Sequence, residues 1–183
     1  MKRTIREGGL CEMIVLLIGV LPTFGSDAET NAWASSARFG SGAAVATARY
    51  AGDLGFARTD TKTGTLNMAR GVAVGLDEDG LSLSFSTALA PRLGPAFSTT
   101  FNMTIGSNGE LAHSVGHSVA TGGLERAVSA GGRSSSTRSG STATAVAGGK
   151  TVGGGVVEAR TASHHYRPGR VYYRTVHPVV RSR

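Results

Sequence analysis

The chain predicts an all-β domain built mainly from antiparallel hairpins, forming a sandwich or small barrel. Three observations carry that expectation. From Leu66 to Ala120, large apolar residues alternate with Gly, Ala, Ser and Thr at a period of two, which is the repeat of a strand. Clusters of Gly, Asn, Asp and Pro interrupt the alternation at intervals of roughly ten residues, as turns between strands do. Every stretch long enough for a helix carries Gly or β-branched residues at a density that helices do not tolerate.

The first 28 residues stand apart. Lys2, Arg3 and Arg6 form a basic start, Met13 to Leu21 is apolar throughout apart from Gly19, and Ser26-Asp27-Ala28 offers small residues where a signal peptidase inspects them. The apolar run is about half of what a membrane span needs, so a secretory leader over residues 1–28 is expected rather than an anchor. Export would place the mature chain in the periplasm, on the cell surface or outside the cell, with no transmembrane segment left after processing. The only cysteine, Cys11, lies in the leader, so the remainder has no disulfide and depends on packing and backbone pairing.

Residues 29–163 are long enough for one domain with its own core. Weak strand signals cover Ala32 to Phe39, Gly42 to Ala51 and Phe56 to Thr65. In the last of these Thr59, Thr61, Thr63 and Thr65 alternate with Arg58, Asp60 and Lys62, an ordinary edge-strand composition. The next two hairpins are clear. Val72, Val74 and Leu76 run into Asp77-Glu78-Asp79-Gly80 and then Leu81, Leu83 and Phe85. With that loop, Leu76 faces Leu81, Val74 faces Leu83, Val72 faces Phe85 and Met68 faces Leu89. After the Pro-containing link Ala90 to Ala96, a loop at Ser107-Asn108-Gly109 pairs Ile105 with Leu111, Phe101 with Val115 and Phe97 with Val119. Phe85 and Phe101 are therefore expected on one buried apolar face, opposite a face of Gly, Ala, Ser and Thr.

Beyond Leu124 there is no Leu, Ile, Phe, Met or Trp. Such a Gly/Ser/Ala-rich stretch cannot bury enough surface to order itself, so residues 125–155 must add strands to a neighbouring sheet or stay mobile, and the alternation of hydroxyls with Ala and Val over Ser141 to Ala147 favours strands. Val156 to Ser163 and Val171 to Val180 are further strand candidates, within a less ordered basic C-terminal part.

Charge is uneven. The leader's charges cancel, so the formal net +7 belongs to the rest of the chain, and from Arg126 onward there are ten Lys or Arg against the single acid Glu158. Within residues 164–183, Tyr166-Arg167-Pro168-Gly169-Arg170-Val171-Tyr172-Tyr173-Arg174 interleaves aromatics with cations. Arg167, Arg170 and Arg174 with Tyr172 and Tyr173 are the candidate polyanion-binding residues. In an exported chain they point to an acidic glycan or an anionic envelope surface rather than to nucleic acid.

Motifs that resemble catalytic or ligand sites have plainer readings. Gly148-Gly149-Lys150-Thr151 looks like the end of a phosphate loop, but Val152-Gly153-Gly154-Gly155 cannot supply the helix that should follow. Gly116-His117-Ser118-Val119-Ala120 looks like a nucleophile elbow, but Thr121-Gly122-Gly123 denies it a helix as well. His113 and His117 are about 13 Å apart along a strand, too far to share a metal ion. Asp77-Glu78-Asp79-Gly80 starts like a calcium loop and lacks the later ligands. No catalytic residues, metal or cofactor are assigned, and the sequence does not fix the oligomeric state. The expectation is a non-catalytic exported binding or structural module. Its alternatives are a polysaccharide-acting enzyme drawing on Asp53, Asp60, Asp77, Asp79, Glu110, Glu125 and Glu158, or a self-assembling surface protein.

Overall fold

A computed structural model describes residues 25–174, with side chains through Gly169. It is all-β. The strands are β1 (Ser26–Ala37), β2 (Ala44–Ala51), β3 (Leu54–Lys62), β4 (Leu66–Asp77), β5 (Gly80–Pro91), β6 (Ala96–Gly106), β7 (Leu111–Thr121), β8 (Glu125–Thr137), β9 (Gly140–Val152), β10 (Val156–Arg167) and β11 (Arg170–Arg174). They form two antiparallel sheets, ordered β2-β1-β8-β9 and β11-β10-β7-β6-β5-β4-β3, so the architecture is a sandwich and not a closed barrel. Strand β1 packs over β4 and β5, β8 over β5 and β6, and β9 over β6, β7 and β10.

Both central hairpins have the expected register. Leu76 pairs with Leu81 and Val72 with Phe85, while Ile105 pairs with Leu111 and Phe101 with Val115. Asp77 and Gly80 close the first turn, where the Asp77 Oδ1 accepts the backbone N–H groups of Asp79 and Gly80. The glycine-rich stretch is ordered as β8 and β9 and lends its strands to the smaller sheet, the first of its two expected alternatives. Of the expected leader, residues 1–28, only the last four lie within the described residues. Of these, Ser26, Asp27 and Ala28 form the first rungs of β1; all three pair with β8, and Asp27 and Ala28 pair with β2 as well.

The expected burial is inverted. The face between the sheets is the one made of Gly, Ala, Ser, Thr and Asn, and the large apolar residues point outward. Ser82, Ser84, Ser86, Thr100, Asn102 and Thr104 are buried, and Val128 is the largest fully buried side chain among the described residues. Phe85 and Phe101 do share a face, but it is the outer one, where both are half-buried by their neighbours alone.

Hydroxyl and amide groups explain why the small face lies inside. Ser98 Oγ donates to the Ser129 carbonyl at 2.8 Å, Ser118 Oγ to the Gly148 carbonyl at 2.6 Å, Ser134 Oγ to the Leu83 carbonyl at 2.8 Å, and Asn102 Nδ2 to the Thr144 carbonyl at 2.9 Å. Each bond joins a side chain of one sheet directly to the backbone of the other. Ordinary sandwiches keep about 10 Å between sheets filled with larger side chains, whereas direct bonds from serine require a much closer approach. Glycine permits it. A Cβ on Gly132 would lie 2.0 Å from Asn102 Nδ2 and 2.4 Å from the Thr144 carbonyl oxygen, so no side chain fits there. Leu and Phe are excluded from such a gap by size, which leaves them the outside.

Candidate functional site

The register of the larger sheet arranges its outward side chains in cross-strand rows from β3 to β10. One row holds Leu54, Leu76, Leu81, Ile105, Leu111 and Tyr166, and the next Phe56, Val74, Leu83, Met103, His113 and His164. The central row holds Arg58, Val72, Phe85, Phe101, Val115 and Ala162. A polar row follows, Asp60, Arg70, Thr87, Thr99, His117 and Arg160, and beyond it Lys62, Met68, Leu89, Phe97, Val119 and Glu158. Phe97, Leu76 and Ile105 are 45%, 41% and 40% exposed despite their size. The polar row is low because Thr87 and Thr99 are short. With Leu89, Phe97, His117 and Val119 they line a trough of about 310 Å³.

The opposite surface of the sandwich differs in chemistry. On the smaller sheet Glu29 pairs with Arg49, and Asp27 with Arg133 at 2.7 Å. The molecule is thus a slab whose larger sheet carries broad apolar rows outward and whose smaller sheet mixes these ion pairs with exposed Trp33, Val45 and Val146. Unlike a pocket, the larger sheet's outer face has no concave floor of convergent donors. It is a surface for apposition.

A second, smaller feature lies at one end, where the Glu110 carboxylate is 4% exposed. It accepts the Ser141 backbone N–H at 2.9 Å and the Arg167 guanidinium, with His165 Nε2 at 3.8 Å. Burial pulls the Glu110 carboxyl upward, but the Arg167 hydrogen bond, the Ser141 N–H and the charges of Arg167 and His165 together hold it below the usual carboxylate range. An adjoining cavity of about 270 Å³ is lined by Ser135, Thr137, Ser139, Gly140, Ser141, Thr142, His165 and Arg167. A carboxylate kept ionised beside an arginine is poorly suited to donate a proton, so this cluster reads as a clasp between the β6–β7 loop, β9 and β10.

Of the residues expected to bind a polyanion, Arg167 is therefore already engaged by Glu110. The backbone of Arg170, Tyr172, Tyr173 and Arg174 pairs in β11 with Arg167, His165, His164 and Ser163 respectively. The segment from His164 to Arg174 is a hairpin that extends the larger sheet, and residues 175–183 lie outside the described residues.

The other motifs have structural roles. Ser118 is buried and bonded to Gly148 and Ser98, so it is a rivet between sheets and not an exposed nucleophile. Gly148 to Thr151 lie within β9. His113 and His117 both point outward. His113 stacks on His164 with ring centroids 4.8 Å apart, and burial together with that neighbour holds its imidazole below the ordinary range. Glu78 and Asp79 bind Arg138. Among the described residues no helix is long and apolar enough to cross a membrane, and no group of His, Cys, Asp and Glu could hold a metal ion. No family model, curated protein or solved structure matches this chain.

Sequence reasoning found the rows but gave them the wrong side. The available signal was β1, where Ala28, Thr30, Ala32 and Ala34 alternate with Asp27, Glu29, Asn31 and Trp33. That strand has only small residues to offer a partner sheet.

Proposed function

We propose that this chain is a non-catalytic structural module of the cell envelope or extracellular space, and that it works through its broad apolar surface. The observation that carries this is the outward placement of the large side chains on β4 to β7, over an interior already closed by hydroxyl bonds. Monomeric proteins rarely expose a continuous apolar patch above about 300–600 Å², and a surface larger than that marks an interaction site. Arginine engagement supports the non-catalytic reading, because Asp60, Glu78, Asp79 and Glu110 each meet a guanidinium. The polyanion reading rests on the β10–β11 hairpin, where Arg167 already neutralises Glu110.

The test is dye binding to the native fold. At high dilution, 1-anilinonaphthalene-8-sulfonate should fluoresce on the parent protein below its unfolding transition, and Phe101→Glu should remove most of that signal without lowering strand content. A panel of neutral and acidic polysaccharides should yield no released sugar. Absence of dye binding by the folded parent, or release of sugar, would overturn the proposal.

A further inference from the structure

We infer that the occupant of the apolar surface is a second copy of this chain, apposed face to face about a two-fold axis parallel to the strands. This rests on the reading of that surface as the working part. The area fits a dimer. Six strands from β3 to β10 and five outward rows span roughly 25 Å by 30 Å, on the order of 750 Å². A standard specific interface uses about 800 Å² per partner.

The charges select both the occupant and the orientation. Hydrocarbon chains offer nothing to His117 and Arg160, which with the Asp60–Arg70 ion pair cross the surface between apolar rows, or to Lys62 and Glu158 at the ends of the last row. A two-fold axis parallel to the strands, running between β5 and β6, keeps each row on itself and exchanges its ends. It sets β3 of one copy over β10 of the other. Asp60, already paired with Arg70 at 3.0 Å in its own chain, then lies over Arg160 of the other copy, and Lys62 lies over its Glu158. Phe85 lies over Phe101, Leu83 over Met103 and Leu89 over Phe97, so the apolar centres of the rows meet, while nearer the edges Arg58 lies over Ala162 and Arg70 over His117. Thr87 meets Thr99 across the axis, and the two apolar-lined troughs face one another.

The alternative axis, across the strands, fails on the same register. It reverses the order of rows and lays Phe56, Val74, Leu83 and Met103 over Asp60, Arg70, Thr87 and Thr99. That arrangement buries charge under hydrocarbon.

Lys62 and Glu158 provide the test, because they are exposed and stand at opposite edges of one sheet, about 24 Å apart by five strand spacings. They cannot pair within one chain. Sedimentation equilibrium of the full chain should show a monomer–dimer equilibrium. Lys62→Glu alone and Glu158→Lys alone should each weaken it about three- to tenfold, since each reversal spoils two symmetry-related pairs. The doubly reversed chain should return to within about twofold of the parent, and Phe101→Glu should weaken association by about 100-fold or more.

A double variant no better than the singles would overturn the arrangement. So would a parent that stays monomeric but binds vesicles of phosphatidylethanolamine and phosphatidylglycerol through Phe101; that result would leave the apolar surface as the working part. If Phe101→Glu changed neither association nor vesicle binding, the proposed function would fall with the dimer.

Discussion

Asn102 and Phe101 are adjacent in β6 and show how the two faces differ in what a side chain contributes. The Asn102 amide bridges the sheets through the Thr144 carbonyl, and its oxygen accepts from Ser84 at 2.6 Å. Asn102→Ala should destabilise the fold by about 1–3 kcal/mol, because it takes the inter-sheet donor from the Thr144 carbonyl and opens a gap, while Ser84 keeps Thr30 and the Gly132 carbonyl as partners. Phe101→Ala on the outer face should cost the isolated monomer about 1 kcal/mol or less. Chemical denaturation at high dilution checks both, and a larger loss for Phe101→Ala would return the large residues to the interior. His113 adds a pH signature. Its imidazole is held below the ordinary value in the fold, so its contribution is fully present above about pH 6.5 and is lost as pH falls through the lowered value. Denaturation midpoints should therefore fall between pH 7.5 and 5.5, and His113→Gln should show a smaller fall. At this scale the pairing of residues was legible, since a period of two fixes which side chains share a face. Which face lies inside was not legible. That depends on Ser98 finding the Ser129 carbonyl and Ser118 the Gly148 carbonyl, contacts between strands far apart in sequence.

At the scale of elements, the two central hairpins could be read to the residue because each is closed by a short turn and each has two patterned strands to check against one another. Strands β8 and β9 could be inferred only from what their composition cannot do, and the position of β1 between β2 and β8 depends on pairing partners no local pattern names. The described start of β1 bears on processing. Asp27 binds Arg133, and Ser26 Oγ lies 3.0 Å from Ser82 Oγ, so a protein beginning at Glu29 lacks an ion pair and an inter-sheet bond that one beginning at Ser26 retains. The shorter protein should melt several degrees lower in calorimetry; equal melting would show that these rungs contribute nothing. The Glu110 clasp makes a second element-scale prediction. Its carboxyl is held below the ordinary range, so its stabilisation is present above about pH 4.5 and disappears as pH falls through the lowered value. Glu110→Gln should weaken the fold by about 1 kcal/mol or more at pH 7 and by much less at pH 3, measured by urea midpoints at both.

The whole molecule is a slab whose two outer faces enclose a thin layer of hydroxyls, amides and methyl groups. The candidate polyanion residues were legible as a cationic, aromatic segment, but not the engagement of Arg167 by a carboxylate from another loop, nor the large surface that dominates the exterior. The hydroxyl interior also has a thermal consequence. Exposing apolar area on unfolding raises the heat capacity by about 0.45 cal/K/mol per Å², while exposing polar area lowers it by about 0.26. With its large apolar side chains already partly in water, the isolated slab should unfold with a heat-capacity increment well below the usual 12–15 cal/mol/K per residue. Its stability curve should be correspondingly flat, falling little on cooling and losing little over tens of degrees of warming. Scanning calorimetry at several pH values would measure the increment directly, and an ordinary value at high dilution would show that the apolar rows are buried in the monomer after all. Association would then restore the missing curvature, so the temperature response of this protein should itself depend on how many copies are present.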